Sequence, residues 1–210
     1  VGLPLDQEVV ECVYTQLDKE EAQLRKSLQA SDIVQTANLS FQEEAMHAAN
    51  AKLTTKVKPI EDFREIKFNP GSGKQVATIL HTHLDLPILD KTDGGSPATD
   101  AKTLKKLIHH TDNPEAVTLI ETILKISEIT KITGTFLKAF KAGGDFLHGN
   151  LKLGGTQSGR LSSNSPNLTN LPAQGKMGKL IKSCVVAPEG FLFAGADYNA
   201  LEARINAIVS

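Results

Sequence analysis

The sequence predicts an α+β protein, mostly helical over its first two thirds and mixed β/α over the last third. Three observations predict it. Residues 5–29 and 114–142 carry long apolar patterns at helical spacing. The run "KAGGD" at residues 141–145 then breaks that pattern with two glycines. After it come short apolar runs, "LIKSCVVAP" and "GFLFAGA", bounded by turn residues, which read as strands.

In chain order, residues 5–29 repeat apolar residues at Val9, Val13, Leu17, Leu24 and Leu28, with Asp6 as the N-cap of a long amphipathic helix. Residues 31–67 are weakly patterned. Within them "SFQEEAMHAANAKL" reads as a helix capped by Ser40, with Glu43 three residues on. "FNPGSGKQVATILHTHL" gives a turn over residues 69–73 and a helix from about Ser72. "DKTDGGSPATDAKTLKKLIHH" gives a Gly/Pro turn and a helix capped near Thr99 or Asp100. The longest helix spans residues 114–142. Pro114 sits in its first turn, where a missing N–H costs nothing, and Ile120, Ile123, Ile126, Ile129, Phe136 and Phe140 lie on its apolar side. "FLHGNLKLGG" reads as a hairpin, the two apolar runs as strands joined by a turn at residues 188–190, and "DYNALEARINAIV" as a helix with Leu201, Ile205 and Ile208 on its buried face.

At 210 residues, 40% hydrophobic and 22% charged, the chain suits a soluble protein of one or two domains. Its net charge of −1 does not announce a nucleic-acid partner, but the local balance differs. From Phe146 to Val186 stand Lys152, Arg160, Lys176, Lys179 and Lys182 and no Asp or Glu. That is either a phosphate-facing surface or a solvated cationic face. Cys12 and Cys184 are too few and too far apart for a disulfide framework or a zinc site, and both are expected reduced, inside a cell. No run has the length of a membrane span, and no signal peptide opens the chain. The first residue is Val, and "EARINAIVS" ends as a helix still running, so the sequence reads as an internal piece of a longer protein.

Two stretches carry chemistry. "TQSGRLSSNSPNLTNLP" gathers hydroxyls and amides around one guanidinium, with no acid. It is either a surface linker or a nucleic-acid contact loop. In "FLFAGADYNALEARI" an apolar run stops at Ala196 and Asp197 follows at once. A carboxylate at a strand's end projects into a cleft, where it can hold Mg²⁺ through hard oxygen ligands, helped by the adjacent carbonyl; the other reading is a helix cap. "GSGKQ" lacks the spacing and the terminal Ser or Thr of a phosphate loop. The His81–His83 and His109–His110 pairs have no neighbouring ligands at metal spacing and read as exposed helix-end residues.

Together these stretches resemble the family A (polymerase I-like) DNA polymerases. "SGRLSSNSPNLTNLP" is similar to the family's T-G-R-L-S-S-x-x-P-N-L-Q-N-I-P, and "ADYNALEAR" to its A-D-Y-S-Q-I-E-L-R, with a fitting interval from Pro172 to Asp197. "FNPGSGKQVATIL", "DKTDGGSPATDAKTLKKL" and "ITKITGTF" resemble thumb segments, and His148 matches a His ahead of the polar loop. The resemblance implies a helical thumb over residues 1–145, with a family-variable insertion at 31–67. Residues 146–210 would be the first part of an antiparallel-sheet palm. The compact thumb points to the bacteriophage branch. That would add phage or host replication proteins as partners and the host cytoplasm as location.

The resemblance also implies roles. Arg160 would reach minor-groove acceptors of a primer–template duplex, which are alike in all Watson–Crick pairs, so one guanidinium checks pairing without reading sequence. Ser162, Ser163, Asn167 and Asn170 would bond sugars, phosphates and groove acceptors. Asn69, Ser72 and Lys131 match thumb positions that touch duplex phosphates; otherwise they are simple helix-end residues. Lys179 and Lys182 are either a basic site or a solvated surface. Asp197 would ligate two Mg²⁺ ions and the Tyr198 carbonyl one of them, for in-line attack of a primer hydroxyl on a dNTP. Glu202 would exclude a 2′-hydroxyl, and Arg204 would pair with a palm carboxylate. Ala200, Thr169, Ala203 and Thr133 depart from the family pattern without removing the metal ligand. A fingers helix and a His-Asp-Glu motif do not occur in these residues, so the 210-residue chain alone is expected to lack polymerase activity. The alternative is a non-catalytic duplex-binding module that kept the groove loop.

Overall fold

The computed structural model describes residues 2–53, 57–157, 159–172 and 174–209, apart from the side chains of Glu202 and Val209. The fold is α+β. It forms two compact units, residues 11–138 and residues 1–10 together with 139–210. The sequence pattern put a change of character near residue 145. The contacts divide the chain slightly earlier and bring its first ten residues into the second unit.

The unit of residues 11–138 is helical. Its first long helix, α1 (Gln7–Ala30), begins in the other unit, where the Asp6 carboxylate accepts from the Glu8 and Val9 amides at 3.0 and 3.1 Å, as an N-cap should. Helix α2 (Asp32–Asn50) starts eight residues before the expected Ser40 cap. Ser40 instead bonds the Thr36 carbonyl inside the helix, and Ser31 is the boundary residue. The earlier start follows from burial of Val34, Ala37 and Phe41, at helical spacings of three and four. The segment read as an insertion therefore supplies core residues. Amides fasten its far end: Gln29 donates to the Phe68 carbonyl at 2.7 Å, Asn38 accepts from the Phe68 amide at 2.6 Å, and Gln42 donates to the Ile66 carbonyl at 3.0 Å.

Helix α3 (Gly73–Thr78) follows the expected turn and passes into a wider π turn over Ile79–His83. Helix α4 (Ala101–Leu107) is capped by Asp100, one of the two caps foreseen, which accepts from Lys102 and Thr103. Helix α5 (Pro114–Lys131) has Asn113 as its cap and Pro114 at its first turn. It runs through a π turn (Ile132–Leu137) into α6 (Lys138–Gly143), so the long helix was foreseen but not its widened turn. Thr133 lies at that turn with its hydroxyl on the Ile129 carbonyl, 3.0 Å away. Leu28, Val34, Phe41, Val76, Leu104 and Ile120 belong to one buried apolar cluster.

The second unit is built on a short extended segment. Strand β1 (Leu3–Pro4) pairs antiparallel with β2 (Phe146–Leu147). A separate antiparallel pair joins β3 (Asn150–Lys152) to β4 (Ser162–Asn164). The expected hairpin within residues 146–155 is thus corrected: each half pairs with a distant strand. At Gly2 an added Cβ would lie 2.8 Å from His148 Cε1 and 2.9 Å from Phe146 Cβ, so the close approach of β1 requires glycine.

Two further expectations fail here. "LIKSCVVAP" is not a strand: α7 (Gly175–Ser183) covers its first four residues, burying Met177 and Ile181 on one face, with Cys184 just beyond, and only Val185 bridges to Leu5. A short apolar run cannot be told from a buried helix by periodicity alone. "GFLFAGA" forms no strand either; Phe191, Leu192 and Phe193 are 71%, 95% and 59% exposed. A strand needs a partner for its backbone groups, and none of the described residues pairs with this run. Helix α8 (Leu201–Val209) forms as expected, yet its apolar residues Leu201, Ile205 and Ile208 are exposed rather than buried. Among the described residues, no helix is long and apolar enough to cross a membrane.

Two predictions follow from this packing. Cys12 is exposed, whereas Cys184 is buried and its thiol is pushed up to about 11, first by burial and then by the nearby Asp6 carboxylate. A chromogenic disulfide reagent at neutral to mildly alkaline pH is expected to titrate Cys12 rapidly and Cys184 only after denaturation; two fast thiols would contradict the packing. Asp90 and Asp100 both bond the buried Thr103 hydroxyl. Bonds from Lys106 and Thr103 hold Asp90 below its ordinary value, and those from Thr103 do the same for Asp100. Carboxylates so lowered stabilise the fold above their ordinary range near pH 4, and that contribution is lost as pH falls through it. Acid titration of unfolding should therefore show a smaller loss below about pH 4 in Thr103→Val than in the wild type.

Candidate nucleic-acid interface

The polar loop is held from within. The β3–β4 ladder pairs Asn150 with Asn164, Leu151 with Ser163 and Lys152 with Ser162. Between the strands, Gly154 and Gly159 adopt φ of +71° and +72°. The Thr156 hydroxyl donates to the Arg160 carbonyl at 2.8 Å, and the Arg160 side chain is exposed. Beyond β4, Asn167 caps a single 3₁₀ turn (Leu168–Asn170), its side-chain oxygen accepting from the Thr169 amide at 3.2 Å and the Thr169 hydroxyl at 2.6 Å. Thr169, a departure from the family's Gln, thus strengthens that cap.

Ser163 has a different position from the one its motif suggests. It is buried at 6% exposure. Its hydroxyl donates to the Pro166 carbonyl and accepts from the Leu168 amide, both at 3.1 Å. Its side chain therefore braces the loop and does not face outward. Leu168 in turn lies over Gly149, where an added Cβ would come 2.6 Å from Leu168 Cδ1. Ser162 is half-buried on β4, while Asn170 and His148 are exposed. The structure thus gathers Arg160, Ser162, Asn167 and Asn170 on one braced loop, with Ser163 as its internal fastening. Sequence reasoning gave Ser163 a contact role because its hydroxyl is indistinguishable in type from its neighbour's.

The thumb candidates lie in the other unit. The Asn69 side-chain oxygen accepts from the Gly71 amide at 2.9 Å, and the Asn69 backbone N–H donates to Gln75 Oε1 at 2.7 Å. Ser72 precedes α3 with no side-chain cap bond. Lys131 is exposed at the end of α5.

Asp197 and Tyr198 are exposed in an irregular stretch leading to α8. Ala200, just before the helix, has φ of +51°, a left-handed conformation that costs a Cβ-bearing residue about 1–2 kcal/mol. Glu202 lies in α8, but its side chain is outside the described residues. Arg204 is exposed, and no ion pair between it and a carboxylate occurs among the described residues. No group of three or more His, Cys, Asp or Glu able to hold a metal occurs among the described residues. One exposed carboxylate and one carbonyl match Mg²⁺ in donor type but not in number. These residues do not by themselves make a metal site.

Comparison with known proteins agrees with this fold. The model of the family "DNA polymerase family A" matches residues 36–210, running through most of the segment read as an insertion. The chain belongs to DNA polymerase family A. It is 38% identical over 147 residues to DNA polymerase I of Caldicellulosiruptor bescii, covering 68% of this chain and 16% of that protein. It is 33% identical over 150 residues to the thermostable DNA polymerase I of Thermus aquaticus, covering 68% and 17%. The chain thus spans about a sixth of the length of such relatives. In fold it is similar to the POL domain of Pol1 from M. smegmatis, in complex with DNA primer-template and dNTP. The TM-score is 0.60 at 22% identity, over 91% of this chain and 28% of that one.

Ser163→Ala removes the acceptor of the partly buried Leu168 amide and is expected to cost about 1–3 kcal/mol, with faster hydrogen exchange at Leu168. Wild-type exchange there would show that the hydroxyl does not brace the loop.

Proposed function

We propose that this chain is the duplex-gripping part of a template-directed DNA polymerase: thumb over residues 1–145, and the start of the palm over 146–210. The observation that carries this reading is the braced, acid-free loop, which presents Arg160 and Asn170 to solvent from a ladder and a capped turn. A preorganised loop of amides and hydroxyls around one guanidinium suits a minor groove, whose acceptors are nearly the same for every base pair. Ser162 and Asn167 lie along the same contact, and His148 supports the chain entering the loop. Asn69, Ser72 and Lys131 bind phosphates from the thumb. The family match spans both the loop and Asp197, which supports reading the two as parts of one enzyme.

In the complete enzyme the reaction is nucleotidyl transfer from a dNTP to a primer during DNA replication. Asp197 and the Tyr198 carbonyl would supply part of the ligand set for two Mg²⁺ ions, Glu202 would exclude ribonucleotides, and Arg204 would support the palm. With one carboxylate available, the 210-residue chain alone binds duplex without extending it. The bacteriophage source, the cytoplasmic location and the phage or host replication partners belong to the same proposal.

The second reading is a non-catalytic duplex-binding module that kept the polar loop. Both readings expect binding by this chain, and Arg160→Ala tests that. It should weaken affinity for a primer–template hairpin and lower its preference for a matched over a mismatched terminus about tenfold, one good base-edge contact being worth roughly 1–3 kcal/mol. Unchanged affinity and preference would sink the groove contact. Asp197→Ala separates the readings. In a polymerase carrying this segment, primer extension should collapse while duplex affinity barely changes. Retained extension would remove Asp197 from the metal site.

A further inference from the structure

Asn167 is half-buried, and its side-chain amide is committed at one end only. Oδ1 accepts twice from the same residue, from the Thr169 amide at 3.2 Å and from the Thr169 hydroxyl at 2.6 Å. A carbonyl oxygen has two lone pairs, so both are taken. Nδ2 makes no hydrogen bond to the described residues, yet no partnerless side-chain nitrogen or oxygen among them is buried. Nδ2 therefore reaches solvent.

The amide is planar, so holding Oδ1 against Thr169 turns Nδ2 away from it. Exchanging the two ends would set the amide N–H groups against the Thr169 backbone N–H and give up both bonds. The shorter of these bonds is this chain's own. The family motif carries Gln at position 169, which has no hydroxyl beside its Cβ.

The direction of one amide matters in a minor groove. A·T and T·A pairs present only acceptors there, and G·C adds a donor, the guanine 2-amino group. A side chain that shows only N–H to the groove meets an acceptor in every pair. An amide free to turn over can also offer its oxygen to guanine, a mode of binding that A·T lacks.

We infer that Thr169 is a specificity-determining residue: by clasping Asn167 Oδ1 it leaves only a donor facing the duplex and makes that contact indifferent to sequence. This rests on the duplex reading above. Thr169 acts through Asn167, as a positioning residue. A protein that must grip any template needs such indifference, because a contact that favoured one pair would hold the chain longer at some sequences than at others.

The test is binding of the 210-residue chain to fluorescein-labelled primer–template hairpins in which each pair near the primer terminus is in turn A·T or G·C. Asn167→Asp keeps the cap, since Asp accepts as Asn does, and turns an oxygen outward in place of the nitrogen. Its charge should weaken binding to every hairpin. It should also prefer G·C at one pair by about threefold or more, which marks the pair that Asn167 faces. At that pair the wild type should differ between A·T and G·C by less than about twofold. Thr169→Val removes the hydroxyl and keeps the shape, and should prefer G·C there by about threefold, the scale of one net hydrogen bond. Thr169→Ser, the conservative rescue, should show no more preference than the wild type.

A wild-type response in Thr169→Val overturns the role of Thr169 and leaves the groove contact standing. So does a G·C preference in Thr169→Ser or in the wild type itself. If Asn167→Asp prefers no pair, Asn167 does not face base edges, and this inference falls while the Arg160 contact stands. If the wild type binds none of the hairpins at about 50 mM salt, the duplex reading itself falls.

Discussion

The second unit depends on one short piece of backbone, residues 3–6. Leu3 and Pro4 pair with Leu147 and Phe146, and the Leu5 amide donates to the Asp145 carbonyl at 2.9 Å. On the other side, Leu5 bridges to Val185, the Asp6 amide donates to Cys184, and the Val186 amide donates to Pro4 at 3.3 Å. Everything between Leu147 and Cys184, the polar loop and α7 included, is a long excursion whose two ends are fastened to the same four residues. Gln7 adds to the fastening with bonds to the Phe140 and Gly144 carbonyls. Closing such an excursion costs chain entropy only once, and its length adds little. The loop can therefore be long, polar and poor in core residues and still return to a defined place.

The same segment shows where sequence reading stops. The helices were legible because their signals are local. Asp6, Asp100 and Pro114 sit where capping chemistry wants them, and the apolar spacing of residues 114–142 spans a full turn pattern. Ser40 misled because Ser with Glu43 three residues on resembles a cap, while the buried Val34 and Phe41 already extend the helix toward Ser31. The pairing of Leu3 with Leu147 leaves no local trace: two residues of strand have no period to detect. So the hairpin proposed for residues 146–155 joined the wrong partners. α7 was missed because "LIKS" is short and apolar, and the turn before it, with Met177 at the decisive spacing, was assigned no element.

At the site, residue type was readable and orientation was not. The sequence named Arg160, Ser162, Ser163, Asn167 and Asn170 as one chemical group, and the structure puts them on one loop. It gives no hint that Ser163 turns inward to hold Pro166 and Leu168, because that depends on the loop folding back over Gly149. For Asp197 the expected strand end does not form: the apolar run before it stays exposed and unpaired among the described residues.

That contrast divides the two proposed tasks physically. The gripping half is held in place: a ladder, a capped turn, a buried hydroxyl and a helix anchored by Met177, Ile181 and Cys184 order residues 146–186, and residues 3–6 fasten both ends. The chemical half is not. Asp197 follows three exposed apolar residues and leads, through a left-handed Ala200, into a helix whose apolar side faces water. A carboxylate acts as a metal ligand when its direction is fixed, and direction comes from packing of the strand and helix that flank it. The geometry of this chain therefore favours binding before chemistry.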